Sequence, residues 1–306
     1  MPRCQDYNLD INMTSNAGKG DKMAESYAFY EGTFGQAIVL ETRTDLVAHA
    51  HSESQIVFWL GGARAQANVG PEVVRYDENV GLATNAYQSH DMTRLDGTGP
   101  AVFLVFMISR KWLNELRQAT GRPFVFPSSR IPIDAALRQA CWQVLDLILS
   151  AREPQDGLNG LVEQLISATI DATARGQVTD PKRLLPPLLD HRLRSAIALM
   201  REHVSDKIAL DEIAHQVGLS RAHFFTLFRD QLNTSPQVFW SAVRVEEAMR
   251  RLIGQGASLT SVALDLGFSA PSNFSRFFKE HTGVSPSTFR RAAVGAMPAT
   301  VTGLAA

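Results

Sequence analysis

Two groups of side chains in this 306-residue sequence have the types and spacing to do chemistry. The first lies near the C-terminus, where Ser272, Asn273, Arg276 and Lys279 fall along one outward stripe of a predicted helix. Arginine grips the O6 and N7 edge of guanine with two parallel hydrogen bonds, and asparagine does the same for adenine, so this set suits the reading of base edges. A parallel set, Arg221, His223, Phe225 and Thr226, precedes it by about fifty residues. Here Phe225 and the neighbouring Ala222 suit contact with a thymine methyl, and the hydrogen-bonding capacity for bases is poorer. The second set is therefore expected to discriminate sequence more sharply. For each residue the alternative is a solvated helix face.

The second group lies near the N-terminus. His49, His51, Glu53 and Gln55 alternate with Ala48, Ala50, Ser52 and Ser54, so on one continuous strand the four polar groups face one side. His90 follows in Asn85-Ala-Tyr-Gln-Ser-His90, and Trp59 shares the parity of His51 and Gln55. Three readings stay open for these residues. They line a pocket for a small organic effector without metal; His49, His51 and His90 ligate a borderline divalent cation; or the histidines are buried and bonded within the core. The expectation taken forward is an effector pocket of His49, His51, Glu53, Gln55, Trp59 and His90, with no cofactor.

The elements that must position the first group are legible because they occur twice. Leu210/Leu259, Ala214/Ala263, Gly218/Gly267 and Ser220/Ser269 coincide at an offset of 49 residues. After one inserted residue, Phe224/Phe274, Phe228/Phe278, Ser235/Ser285, Pro236/Pro286 and Phe239/Phe289 coincide at 50. This is a duplicated unit. In each copy an apolar helix face is followed by a glycine suited to a left-handed helix end, a serine suited to capping a second helix, and aromatic residues spaced to pack inward. That is helix-turn-helix grammar, in which the second helix enters the major groove. Between the copies, Ser235 to Gly254 reads as one helix with Pro236 in its first turn, long enough to set the two reading helices about one duplex turn apart. Asn233 stands where the second copy has Gly283, a substitution compatible with a left-handed turn.

Residues 190–291 resemble the DNA-binding domain of the AraC/XylS family of bacterial transcription regulators. The resemblance rests above all on the run from Ala263 through Gly267, Phe274, Phe278, Gly283 and Pro286 to Arg290. It implies two helix-turn-helix motifs on promoter DNA, contact with RNA polymerase, homodimerisation and control by a small effector. The N-terminal His49-Ala-His51, Gln55, Gly61-Gly62 and His90 are similar to a cupin barrel of the kind found in that family's sensor domains. The cupin pattern prefers glutamate where this chain has Gln55.

Length and composition agree with two domains: 45% of residues are apolar, enough for a sizeable core. Residues 190–306 carry 13 Lys and Arg against 10 Asp and Glu, a net of +3, which leaves −4 for residues 1–189. The asymmetry has the sign expected for a DNA partner, though it is mild. With only Cys4 and Cys141 there is no disulfide framework, and no apolar stretch has the length to cross a bilayer, so a soluble cytoplasmic protein is expected. No nucleophile elbow or phosphate loop is present, and no enzymatic activity is expected.

The expected fold is α+β. A leader (1–25) reads as disordered, and residues 26–175 as a cupin-like antiparallel β-barrel with following helices. Strands are predicted over Gly35–Thr42, His49–Trp59, Val73–Tyr76, Val80–Ala86 and Val102–Ile108, and helices over Arg110–Thr120, Ile133–Arg152 and Leu158–Arg175. The last two carry wide apolar stripes that serve dimerisation or pack on the barrel. A proline-rich linker (176–189), the all-α DNA-binding domain (190–291) and a tail (292–306) complete the chain. Two rivals to a ligand-responsive activator are a metal-dependent cupin enzyme with a DNA-binding tail, and a constitutive regulator whose barrel only dimerises.

Overall fold

Alternating apolar residues in the first third of the chain build two antiparallel sheets with a helical layer on one of them. In the computed structural model the described residues are 26–96, 99–121, 124–150, 157–175, 189–206, 208–232, 234–253 and 257–295. The leader, nearly all of the linker, Asn233, Gly254 and most of the tail lie outside them.

One sheet contains β1 (Ser26–Gly32), β2 (Gly35–Thr42), β4 (Ser54–Gly62), β7 (Val80–Thr84), β9 (Ala101–Ile108) and β10 (Arg130–Pro132), in the order β1-β2-β9-β4-β7-β10. The other contains β3 (Leu46–His49), β5 (Ala65–Val69), β6 (Glu72–Arg75) and β8 (His90–Arg94), in the order β3-β8-β5-β6. Strand β9 shows why both faces of the larger sheet are apolar. Phe103, Val105 and Met107 point between the sheets, while Leu104, Phe106 and Ile108 point to the opposite face and join the core formed with the helices. No strand pair links the two sheets among the described residues, so they stand as layers, and the closed barrel expected from the sequence is not formed. A short connection, a turn or coil at 50–53, separates β3 from β4 where the sequence predicts one strand over His49–Trp59.

Helices α1 (Arg110–Thr120), α2 (Ala135–Ser150) and α3 (Leu158–Ala174) cover the outer face of the larger sheet. Ser109 caps α1 by accepting from the Trp112 N–H, and Gly121 ends it in the left-handed region at φ 67°. The stripe Leu137, Cys141, Val144, Leu145 and Ile148 on α2, with Leu158, Val162, Leu165 and Ile166 on α3, is buried against that sheet. Leu161 and Ile170 on α3 stay half-buried, and Leu149 on α2 and Ala168 on α3 are exposed, so packing on the sheet takes up only part of the apolar width of these helices. Burial pushes the Cys141 thiol up to about 12, so it behaves as a small apolar residue.

The C-terminal half is helical: α4 (His191–Glu202), α5 (Leu210–Gln216), α6 (Arg221–Leu232), α7 (Pro236–Ile253), α8 (Leu259–Asp265), α9 (Pro271–Thr282) and α10 (Pro286–Gly295). Gly218 (φ 71°) and Gly267 (φ 75°) turn the chain between the first and second helices of each repeat, a conformation closed to most other residues. Each repeat has its own core. Phe224, Phe228 and Phe239 centre the first, and Phe274, Phe278 and Phe289 the second. The 18 residues of α7 span about 27 Å between them. No helix among the described residues is long and apolar enough to cross a membrane.

Candidate DNA-binding surface and interdomain cavity

Helix α6 turns Phe224, Leu227 and Phe228 inward, which leaves Arg221 and His223 exposed and Phe225 and Thr226 half-buried. Arg221 is ion-paired with Asp211 and lies over the Phe225 ring, its guanidinium carbon 5.0 Å from the ring centroid. Phe225 itself packs against the first core, so less of it reaches outward than the sequence suggested. On α9 the inward residues are Phe274 and Phe278; Ser272 and Arg276 are exposed, with Asn273 and Lys279 half-buried beside them. The Asn273 amide donates to Ser269 Oγ at 2.9 Å, and Arg276 Nη2 reaches Asn273 Oδ1 at 3.5 Å. Arg276 and Asn273 therefore stand together, the guanine-reading and adenine-reading types side by side.

The capping serines differ. Ser220 precedes α6 and its Oγ accepts from the His223 N–H at 3.3 Å. Ser269 does not cap α9. That position belongs to Ala270, with Pro271 opening the helix, because the residue inserted between the copies moves the start of α9 one place along.

The N-terminal polar group divides. His49, His51, Gln55 and His90 line a cavity of about 90 Å³ between the two sheets. The three histidine rings cluster with centroids 4.4 to 5.3 Å apart. Their candidate ligand nitrogens lie within 4.8 Å of one another, close enough to converge on one ion, though nothing in this geometry demands one. Glu53, by contrast, lies in a separate polar cleft with Arg110, Arg201 and Glu246. Because the chain leaves strand geometry at 50–53, the alternation that placed Glu53 beside the histidines does not operate there. Trp59 lies farther along β4, does not line the cavity, and donates from its indole N–H to the Ala63 carbonyl at 3.1 Å.

Burial lowers the pKa of His49, His51 and His90, His51 to about 3; repulsion from neighbouring histidines adds to the effect at His49 and His51. These rings are neutral at physiological pH. In the cleft, burial raises Glu53 and Glu246, each the larger cause, and mutual repulsion adds to the effect at Glu53.

Sequence reasoning missed the residues that join the halves. Met249 of α7, His281 and Thr282 of α9, and Val284 and Phe289 close the cavity from the DNA-binding side. His281 continues the inward stripe Phe274, Phe277, Phe278 of α9, and a histidine at the next inward position was the available signal that this face meets something beyond its own core. Gly283 (φ 79°) approaches β2 and β3; a Cβ there would stand 3.4 Å from Leu46 and 3.6 Å from Thr42 Oγ1. Farther along the seam, Tyr87 is buried in the first repeat's core, its ring centroid 4.5 Å from that of Phe239. Its hydroxyl accepts from Arg110 at 3.0 Å and from Arg201. The Ser52 N–H donates to Glu246 at 2.9 Å.

Comparison with known proteins bears on both halves. Residues 213–292 match the family model described as a helix-turn-helix domain. The raffinose operon transcriptional regulatory protein of Pediococcus pentosaceus is 34% identical over 96 residues, 31% of this chain and 35% of that protein. The arabinose operon regulatory protein of Escherichia coli is 31% identical over 131 residues, 42% of each chain. The matches thus span about a third to two fifths of those relatives. ToxT of Vibrio cholerae, in an apo crystal structure, superposes with a TM-score of 0.56 at 13% identity over 84% of this chain and 97% of its own; a second ToxT structure holds an unsaturated fatty acid and gives 0.54 at 14% over 87% and 98%. The fold of a β-rich N-terminal domain joined to a helical domain is therefore shared with ToxT. The C-terminal domain belongs to the AraC type of helix-turn-helix domains.

Proposed function

We propose that this protein is a sequence-specific DNA-binding transcription regulator whose occupancy of promoter DNA is set by a small molecule bound in the cavity between the sheets. One observation carries the reading. Helix α9 exposes Ser272 and Arg276 at its first turns and lends His281 and Thr282 to the cavity wall at its last, so one rigid element touches both the proposed DNA and the proposed effector. A ligand acts only through a difference in affinity between two arrangements. Sheet residues wall the cavity on one side and α9 and α10 on the other, so an occupant that touches both binds differently when that wall is displaced. That displacement supplies the difference. The ToxT structure with an unsaturated fatty acid supports ligand binding on a similar fold. An activating effect, contact with RNA polymerase, cytoplasmic location and a homodimer on paired sites belong to the same reading, by likeness to operon regulators.

The test is selection of a binding site from random duplexes with the full chain, followed by Arg276→Ala at fixed salt. The variant is expected to lose about 1–3 kcal/mol on the selected site and to relax preference at one base pair. An unchanged specificity ratio removes Arg276 from base reading; failure to select any site overturns the regulator.

A further inference from the structure

The chemistry of the cavity's polar end constrains what enters it. His49 Nδ1 lies 2.7 Å from the Val47 carbonyl oxygen, His90 Nδ1 3.0 Å from that of Gln88, and His281 Nδ1 2.8 Å from that of Phe277. A carbonyl oxygen only accepts, so each Nδ1 carries the proton, and in a neutral ring each Nε2 is left as a bare lone pair. Gln55 points the same way. Its amide nitrogen is engaged by Met107 Sδ at 3.6 Å, while its buried Oε1 has no partner, and neither has the buried His51 Nε2. Buried polar atoms without partners are rare because desolvating them costs free energy that nothing returns.

The remaining wall adds no positive charge. No lysine or arginine lines the cavity among the described residues, and Asp91 places a carboxylate there. The Thr42 and Thr282 hydroxyls already donate, to the Thr44 and Phe278 carbonyls. The Tyr76 hydroxyl, the second N–H of the Gln55 amide and one ring nitrogen of His51 are the protons left, against lone pairs from His49, His51, His90, His281 and Gln55. Such a wall repels an anion.

We propose that this end of the cavity is a recognition site for a small ligand that brings positive charge or hydrogen-bond donors, an amine or a divalent transition-metal cation, and that it turns away carboxylates. The proposal rests on the cavity being the effector site and names the class of effector. It sets this chain apart from the fold neighbour solved with a fatty acid. His281 gives the site its reach: it belongs to α9, so a donor held by the sensor's histidines also holds the DNA-binding domain.

The experiment is thermal unfolding of the full chain with three probes: propylamine, propionate of nearly the same size, and zinc chloride reversed with EDTA. Propylamine or zinc is expected to raise Tm by several degrees, propionate to leave it unchanged, and His51→Leu to abolish the rise. Zinc alone shifting Tm assigns the site to a metal; propylamine alone assigns it to an organic amine. Propionate stabilising as well as propylamine and zinc, or neither cationic probe shifting Tm at millimolar concentration, overturns the proposal. Should His51→Leu fail to fold, the contrast between propylamine and propionate on the unaltered chain carries the decision. DNA affinity measured with and without the stabilising probe keeps the two readings apart: an unchanged affinity sinks effector control and leaves the ligand class standing.

Discussion

The two helix-turn-helix repeats descend from one pattern and yet are fastened to the β-rich N-terminal domain by different chemistry. The first is held by a plug: Tyr87 sits in its core against Phe239, with Arg110 and Arg201 on the hydroxyl and Glu246 on the Ser52 N–H. The second is held as a wall, with His281, Val284 and Phe289 completing a cavity whose other side is β-sheet. A cavity ligand therefore meets the second repeat directly. It reaches the first indirectly, along α7, whose Met249 lines the cavity and whose Phe239 lies in the first core, and through the backbone, where the Tyr87 N–H donates to the His51 carbonyl at 2.6 Å. The difference teaches that duplicated helix-turn-helix units need not be fastened alike.

Acid breaks this comparison most strongly. His49, His51 and His90 have folded pKa values below the unfolded value of about 6.5, so the folded state binds fewer protons there. Their stability is intact above that pH and is lost as pH falls through it, by up to about 1.4 kcal/mol per pH unit for each ring. From pH 7.5 to 5.5 the cavity side is expected to lose about 1.4 kcal/mol by this linkage at His51, with His49 and His90 adding in the same direction. Glu53 and Glu246 have the opposite sign. Their folded values are raised, so the contribution at the plug side is present at low pH and is lost as pH rises from about 4.3 through the raised values. Hydrogen exchange across that range should show α9 and α10 loosening before α4 and α7; simultaneous loosening would show that the two fastenings are not separate.

The plug can also be removed without touching the cavity. Tyr87→Ala deletes a ring that is 7% exposed and is expected to cost about 3 kcal/mol, the lower end of the range for large aromatic residues in cores. Tyr87 is also the non-glycine residue with positive φ, 64°, among the described residues, and that strain persists only because its surroundings hold it. Faster exchange in α4 and α7 with α9 unchanged is the expected outcome. Equal acceleration in both repeats would mean that the seam opens as one unit.

How much of this was visible beforehand differs by region. The helix-turn-helix repeats were legible because each local signal agrees with the next: the Gly218 and Gly267 turns, the inward phenylalanines, and Pro236 and Pro286 opening helices. Helices α1 and α3 and strand β2 matched the sequence reading to within a residue. The N-terminal cavity was half legible. His49, His51, Gln55 and His90 converge, yet Glu53 departs because alternation fails where the chain stops being a strand, and β1, β5 and β8 carried too weak a pattern to be read. The seam was not legible at all. Tyr87 against Phe239 and His281 toward the histidine cluster join residues about 150 or more positions apart, and nothing local to either announces the other. Tertiary packing decided them.

The smallest contrast lies in the caps. Ser220 Oγ accepts from the His223 N–H, so Ser220→Ala leaves a helix-end donor without its partner and is expected to cost about 1 kcal/mol of stability. At the matching position Ser269 caps nothing, since Ala270 precedes a proline that has no N–H to satisfy, and Ser269→Ala is expected to cost only a few tenths of a kcal/mol. Its effect should appear elsewhere. Ser269 Oγ holds the Asn273 amide at 2.9 Å, so the variant frees a side chain proposed to read bases and should alter DNA preference more than melting temperature. Ser220→Ala should do the reverse. If both variants lowered Tm equally, the inserted residue would have no bearing on how α9 begins, and the two repeats would be equivalent in their caps despite the offset between them.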